Sequence, residues 1–211
     1  MDRFDRCRRV FGNDGFTKLE NAKVLILGVG GIGSFALDGL YRSGIGHITI
    51  VDYDRFEITN QNRQIGSEEL DQLKVEVLAR KYEGIEAINL KITNEWIESF
   101  DFSQFDIVVD AIDDIPCKIA LAKKVDNLIV ALGGAKKLDP SLIDVTSVWK
   151  THGDPLAKKY RYELRKSGFE GGFQVVFSSE ESKCKDLGSF VGVTGSFGLR
   201  VCSEVVKQLL H

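Results

Sequence analysis

Short, wholly apolar runs alternate along the first two thirds of the chain with stretches whose apolar residues recur at helical spacing. KVLILG (23–28) is a continuous apolar run closing on glycine, the pattern of a parallel strand buried on both faces. The stretch 33–42 has the character of a helix, and HITIV (47–51) that of a second strand, ending at Asp52 and Asp54. Leu70, Leu73, Val77 and Leu78 predict a helix over 67–82, followed by a strand at 87–92. DIVVDAI (106–112) predicts the next buried strand, Pro116 suits the first turn of a helix running to 125, and NLIVALGG (127–134) predicts another strand. Such alternation predicts an α/β fold with a Rossmann-like, doubly wound, mostly parallel sheet.

After Gly134 the rhythm changes. LIDVTSVWK (142–150) and FQVVFS (173–178) have strand character and flank a basic helix over 154–166 capped by Gly168. They predict an antiparallel extension of the sheet in the C-terminal third. Val191, Val193, Phe197, Val201, Val205 and Leu209 then mark one long helix over 189–210 that should pack on the sheet. At 211 residues, with no internal repeat or linker, the chain fits one domain.

Composition narrows the function classes. Hydrophobic residues at 43% and charged residues at 28% are ordinary for a soluble globule. No apolar run approaches the roughly 20 residues of a membrane span, and the start, MDRFDRCRRVF, lacks a signal-peptide core, so a cytoplasmic location with no membrane partner is expected. Cys7, Cys117, Cys184 and Cys202 form no C-x-x-C pair, which fits neither a disulfide framework nor structural zinc. The net charge of -3 argues against a dominant nucleic-acid field. Lys136, Lys137, Lys150, Lys158, Lys159, Arg161, Arg165 and Lys166 nevertheless concentrate positive charge in 133–166. Such a patch suits RNA phosphates or an acidic carrier protein equally.

GVGGIG (28–33) places Gly28, Gly30 and Gly33 in the G-x-G-x-x-G spacing between strand and helix, where backbone can approach a phosphate. With Asp52 available for a ribose, that motif alone favours a nicotinamide-dependent oxidoreductase. DYDRFEITNQNRQ (52–64) changes the picture, because a hydride-transfer site needs no such crowd of acids, amides and arginine. Arg63 and Lys74 can bind a triphosphate, and DAIDD (110–114) offers carboxylates to a bridging metal. Singly, each of these residues has surface ion pairing as its ordinary explanation; together, on successive strand ends, they describe an ATP site.

LGVGGIGS, VDYDRFEITNQNRQ, the later lysine and DAIDD resemble the adenylation domain of the ubiquitin-activating-enzyme-like family over 3–134. The resemblance implies that Gly31 approaches the phosphates, Asp52 the ribose, and Asn60, Arg63 and Lys74 the triphosphate, with Asp113 holding Mg2+. Asp54, Gln64 and Asp114 belong to the same implied site. It also implies a homodimer in which Arg6, with Arg9 as alternative, reaches the neighbouring subunit's site. An ATP-binding half (1–134) would precede a substrate-binding and dimer-supporting half (135–211). Residues 133–166 and VVFSSE (175–180) resemble the tRNA threonylcarbamoyladenosine dehydratases, although 181–189 is shorter than usual. That likeness implies tRNA as partner and ATP-dependent cyclisation of the modified base, with Lys136, His152, Lys158, Lys159 and Cys184 as candidate substrate contacts. The alternative is an adenylyltransferase for the C-terminal glycine of a ubiquitin-like sulfur carrier, in which Cys184 would accept sulfur from a desulfurase or carrier partner.

Overall fold

The computed structural model describes residues 2–211. Seven strands form one sheet in the order β3-β2-β1-β4-β5-β7-β6. They are β1 (Lys23–Leu27), β2 (His47–Asp52), β3 (Glu86–Asn89), β4 (Ile107–Asp110), β5 (Leu128–Ala131), β6 (Ile143–Ser147) and β7 (Gln174–Ser178). All pairings are parallel except β6 with β7, so the antiparallel extension is a single edge strand. The order reverses between β1 and β4, where a doubly wound sheet opens a crevice at its strand C-terminal ends.

Because successive residues of a strand face opposite sides, β1 feeds two cores. Val24 and Ile26 pack beneath α1 (Asp5–Asn21), α2 (Gly33–Ser43), α3 (Lys74–Lys81) and α7 (Val191–Leu210). Leu25 and Leu27 pack beneath α4 (Asn94–Ser99), α5 (Ile115–Lys124) and α6 (Pro155–Lys166). No helix among the described residues is long and apolar enough to cross a membrane.

Four elements depart from the expected pattern. The helix expected over 67–82 begins only at Lys74, because the preceding residues fold back on 54–56: Phe56 N–H donates to Gln72 O at 2.9 Å and Asp71 N–H to Phe56 O at 2.9 Å. The strand expected over 142–150 stops at Ser147 and gives way to a 3₁₀ turn at Val148–Lys150. Helix α1 was not expected; it is mostly polar, buries only Phe16 and Leu19 fully and is kinked at Gly12 (φ 73°). Nor was α4, two turns opened by the Thr93 side chain accepting from Trp96 N–H.

Helices α2 and α7 cross in close contact. A Cβ at Gly198 would stand 2.4 Å from Ile32 O and 2.6 Å from Phe35 Cβ. Replacing an ordinary helical glycine by alanine stabilises a helix by roughly 0.5–1 kcal/mol. Here Gly198→Ala is expected to lower the urea midpoint of unfolding instead, because α7 must back away from the start of α2; chemical denaturation followed by circular dichroism measures it.

Candidate functional site

The C-terminal ends of β1, β2 and β4 meet in a cleft of about 540 Å³. Its floor is the turn after β1. Gly28 adopts φ 85°, and a Cβ there would lie 2.9 Å from Ala111 O, while one at Gly33 would lie 1.9 Å from Gly28 O. Only glycine lets this turn tighten against the end of β4 and start α2 so close behind it. Gly31 lies against the Arg63 side chain, its Cβ position 3.2 Å from Cγ.

Asp52 ends β2 with its carboxylate spanning two backbone donors: Oδ2 accepts Val29 N–H at 2.9 Å and Oδ1 accepts Asp54 N–H at 2.9 Å. Downstream, a 3₁₀ turn at Ile58–Asn60 carries a reciprocal cap between Glu57 and Asn60. Arg63 donates to Thr59 O at 2.7 Å and to Asn62 Oδ1 at 2.9 Å, so its guanidinium is held by its own loop while its stem lies against Gly31. Lys74, buried at the start of α3, reaches Asp54 Oδ2 at 2.8 Å. Gln64 is buried in the same wall, and its Oε1 has no partner among the described residues.

The opposite wall is the loop after β4. Asp110 is wholly buried; it accepts Lys118 Nζ at 2.9 Å and Ile112 N–H at 3.2 Å. Burial pushes its carboxyl above the usual range, against the pull of Lys118. Asp114 caps α5 by accepting Cys117 N–H at 2.8 Å. Asp113 stands exposed on the cleft wall.

The cleft thus collects Gly28, Gly30, Gly31, Asp52, Asp54, Asn60, Arg63, Gln64, Lys74, Asp113 and Asp114. Of the proposed nucleotide-site positions only Gly33 lies behind it. Sequence reasoning missed the apolar end, made by Leu90 and Ile92 beyond β3 together with Ile112, where Lys91 Nζ sits 5.4 Å from the Tyr53 ring centre. Their signal was faint, two apolar residues alternating past the end of a short strand. It missed Asn62 too, whose Nδ2 donates to Ser189 O at 3.0 Å and ties this loop to the segment before α7.

Other candidates lie elsewhere. Arg6 is exposed on α1, whose neighbouring Cys7 thiol reaches Arg42 O at the far end of α2. Since the cleft lies at the near end of α2, about 16 Å away for eleven residues, Arg6 does not meet its own cleft. Lys136 and Cys184 belong to two loops joined by Lys183 N–H to Lys136 O at 2.8 Å and Lys136 N–H to Gly188 O at 2.9 Å. His152 is exposed in the loop before α6, its ring edge-on to Phe177, and Lys158 and Lys159 are exposed on α6. Among the described residues no three His, Cys, Asp or Glu side chains are grouped to hold a metal ion.

The ThiF family model matches residues 4–210. The chain is 41% identical over 192 residues to the tRNA threonylcarbamoyladenosine dehydratase of Bacillus subtilis, covering 85% of this chain and 76% of that one. It superposes on the crystal structure of Escherichia coli tRNA N6-threonylcarbamoyladenosine dehydratase in complex with ATP with a TM-score of 0.91 at 30% identity, over 98% of this chain and 93% of that one. It is also 28% identical over 207 residues to the molybdopterin-synthase adenylyltransferase of Haemophilus influenzae, over 93% of this chain and 78% of that one.

Burial raises the thiol of Cys117 to about 12 and that of Cys202 to about 11, so neither forms thiolate near neutral pH, whereas Cys184 is exposed. Iodoacetamide at pH 8 is therefore expected to alkylate Cys184 first, to reach half-buried Cys7 more slowly, and to spare Cys117 and Cys202 until the protein is denatured. Peptide mass spectrometry across a labelling time course reads this directly.

Proposed function

The chain belongs to the ThiF family, and from that membership we propose that it is an ATP-dependent tRNA threonylcarbamoyladenosine dehydratase working in the cytoplasm. One observation carries the reading: the glycine turn, Asp52, Arg63, Lys74 and Asp113 share a single cleft in a chain that superposes along its length on an ATP-bound dehydratase. The cleft suits ATP physically. The apolar end at Leu90, Ile92 and Ile112 accepts adenine, Asp52 the ribose hydroxyls, and the turn at Gly30 and Gly31 with Asn60, Arg63 and Lys74 the phosphates. The unpartnered Gln64 Oε1 is a buried acceptor awaiting a donor. Mg2+ would be held by Asp113 and the phosphates, with water completing its shell, and would offset charge on the triphosphate; one protein carboxylate is enough for an ion bound in this manner.

The threonyl carboxylate of the modified tRNA base attacks the α-phosphorus, and pyrophosphate leaves. The resulting mixed anhydride has an electrophilic carbonyl carbon. The ureido nitrogen attacks it, the ring closes, AMP departs with the carboxylate oxygen, and the nitrogen's proton passes to solvent. The base has then lost one water overall. Arg63 and Lys74 hold charge as it builds on the phosphates, and the rest of the work is positioning. Arg6, remote from its own cleft, serves the cleft of a second copy in a homodimer. Residues 1–134 form the ATP-binding half, and 135–211 hold the tRNA and support the dimer.

The decisive experiment incubates purified protein, ATP and magnesium with tRNA bearing the linear modification and analyses the nucleosides by mass spectrometry. An ATP-dependent product lighter by one water is expected. A base that stays linear, with pyrophosphate exchange appearing only on addition of a small carrier protein, would replace this reading with sulfur-carrier adenylation.

Lys74→Ala and Asp113→Asn are each expected to retain wild-type far-ultraviolet circular dichroism and to lose at least about a hundredfold in product formation, the scale of removing one charge-stabilising group. The trans role of Arg6 has its own readout. Arg6→Ala and Lys74→Ala are each inactive alone, and after mixing and subunit exchange activity returns, because the mixed dimer has one site with both groups intact. Absence of any recovery in dimers shown to have exchanged would overturn the trans role of Arg6.

A further inference from the structure

Helix α6 has two unlike faces. Ala157, Tyr160 and Leu164 are fully buried against the sheet. Its outer face carries Lys158, Lys159, Arg165 and Lys166, all exposed, and in their midst Tyr162, an aromatic ring that is 62% exposed. At about 100° per residue these five positions fall within an arc of roughly 120°, with Tyr162 near its centre and the four cations to either side. The one acid of the helix, Glu163, lies off this arc. In a chain whose net charge is -3 such a face is a local exception.

The location matters as much as the composition. Asp154, which caps the start of α6, lies 3.6 Å from Lys137 Nζ on the segment that follows β5, so the first turn of α6 sits at the same sheet end as the cleft. On the inner face Tyr160 donates its hydroxyl to Lys118 O at 3.0 Å. Lys118 belongs to α5, which starts directly after Asp113 and Asp114. A polymer whose reacting group enters the cleft can therefore run along the outside of α6.

We infer that the outer face of α6 is a docking surface for unpaired nucleotides of the RNA substrate, with the Tyr162 ring stacking on a base while Lys158, Lys159, Arg165 and Lys166 engage the flanking phosphates. The inference rests on the RNA-modifying function proposed above and adds where and how the RNA is held. Charge alone would equally suit any polyanion. The exposed ring selects a single-stranded nucleic acid, because stacking needs a free base and phosphates flank each base. Burying an uncovered tyrosine ring against a base also removes apolar surface from water, which a paired duplex, offering only its backbone, does not do.

The test compares wild type with Tyr162→Ala, Tyr162→Phe and Lys158→Glu/Lys159→Glu. Fluorescence anisotropy is read on a labelled anticodon stem-loop over a series of salt concentrations, with KM for tRNA and for ATP measured alongside. Tyr162→Ala is expected to weaken stem-loop binding about tenfold and to raise KM for tRNA with kcat and KM for ATP unchanged, while Tyr162→Phe stays near wild type. The double lysine variant should bind more weakly and lower the slope of log affinity against log salt by about two. An unaltered stem-loop affinity in Tyr162→Ala overturns the inference; so does an equal loss toward heparin, a polyanion without bases. If wild type forms no cyclised base yet Tyr162→Ala still loses stem-loop affinity, the proposed reaction fails and the docking surface stands.

Discussion

Asp110 and Lys118 form an ion pair with essentially no access to solvent, and the floor and one wall of the cleft depend on it. Lys118 bonds Asp110 Oδ1 at 2.9 Å and Ala131 O at 3.0 Å, which locks the ends of β4 and β5 together under α5. Asp110 in turn accepts Ile112 N–H and so sets the course of the loop carrying Asp113. Ala111, between them, is the residue that Gly28 almost touches. Such a pair adds little net stability over an apolar pair of similar volume, but losing one partner strands a buried charge at a cost of about 3–5 kcal/mol. Its value lies in position: the strand ends, the glycine turn and the loop carrying Asp113 share one anchor.

Charge in the cleft follows from which groups are already engaged. Asp52 accepts two backbone N–H groups, Asp114 caps α5, and Asp54 is paired with buried Lys74. Asp113 is the carboxylate left open among them. On the cationic side Arg63 is oriented by Thr59 O and the Asn62 amide. A polyphosphate entering such a cleft meets donors held in place beforehand, so little ordering remains to be done on binding. The link from Asn62 to Ser189 O adds that the orienting amide is itself fixed by the segment preceding α7.

The buried parallel strands were legible because a strand covered on both faces is a run of branched apolar residues that helices rarely imitate, and the glycine turn because its spacing has a steric reason. What could not be read locally was set by tertiary contacts. Residues 67–73 have helical apolar spacing, yet their backbone bonds to Phe56 instead, a pairing invisible until 54–56 is in place. Helix α1 has so little apolar periodicity that only the docking of Phe16 and Leu19 explains it. In the candidate site the charged and glycine positions were nameable from chemistry on strand ends. The apolar end at Leu90, Ile92 and Ile112 was not, because an apolar residue carries no mark that separates a ligand-facing role from core packing.

Helix α6 is tied to the same anchor. Tyr160 and Tyr162 are two residues apart and point to opposite sides; one is fully buried and the other is largely exposed. The inner tyrosine bonds the backbone of Lys118, the residue that holds Asp110, and the outer one stands among cations. A basic helix on a free loop would attract RNA without fixing where its reacting base falls. Here the helix is registered by one hydrogen bond to the anchor of the cleft and by Asp154 beside Lys137 at its first turn. The outer face therefore stands in a set relation to Asp113, and a nucleotide held on it would fix how far a neighbouring base can reach toward the cleft.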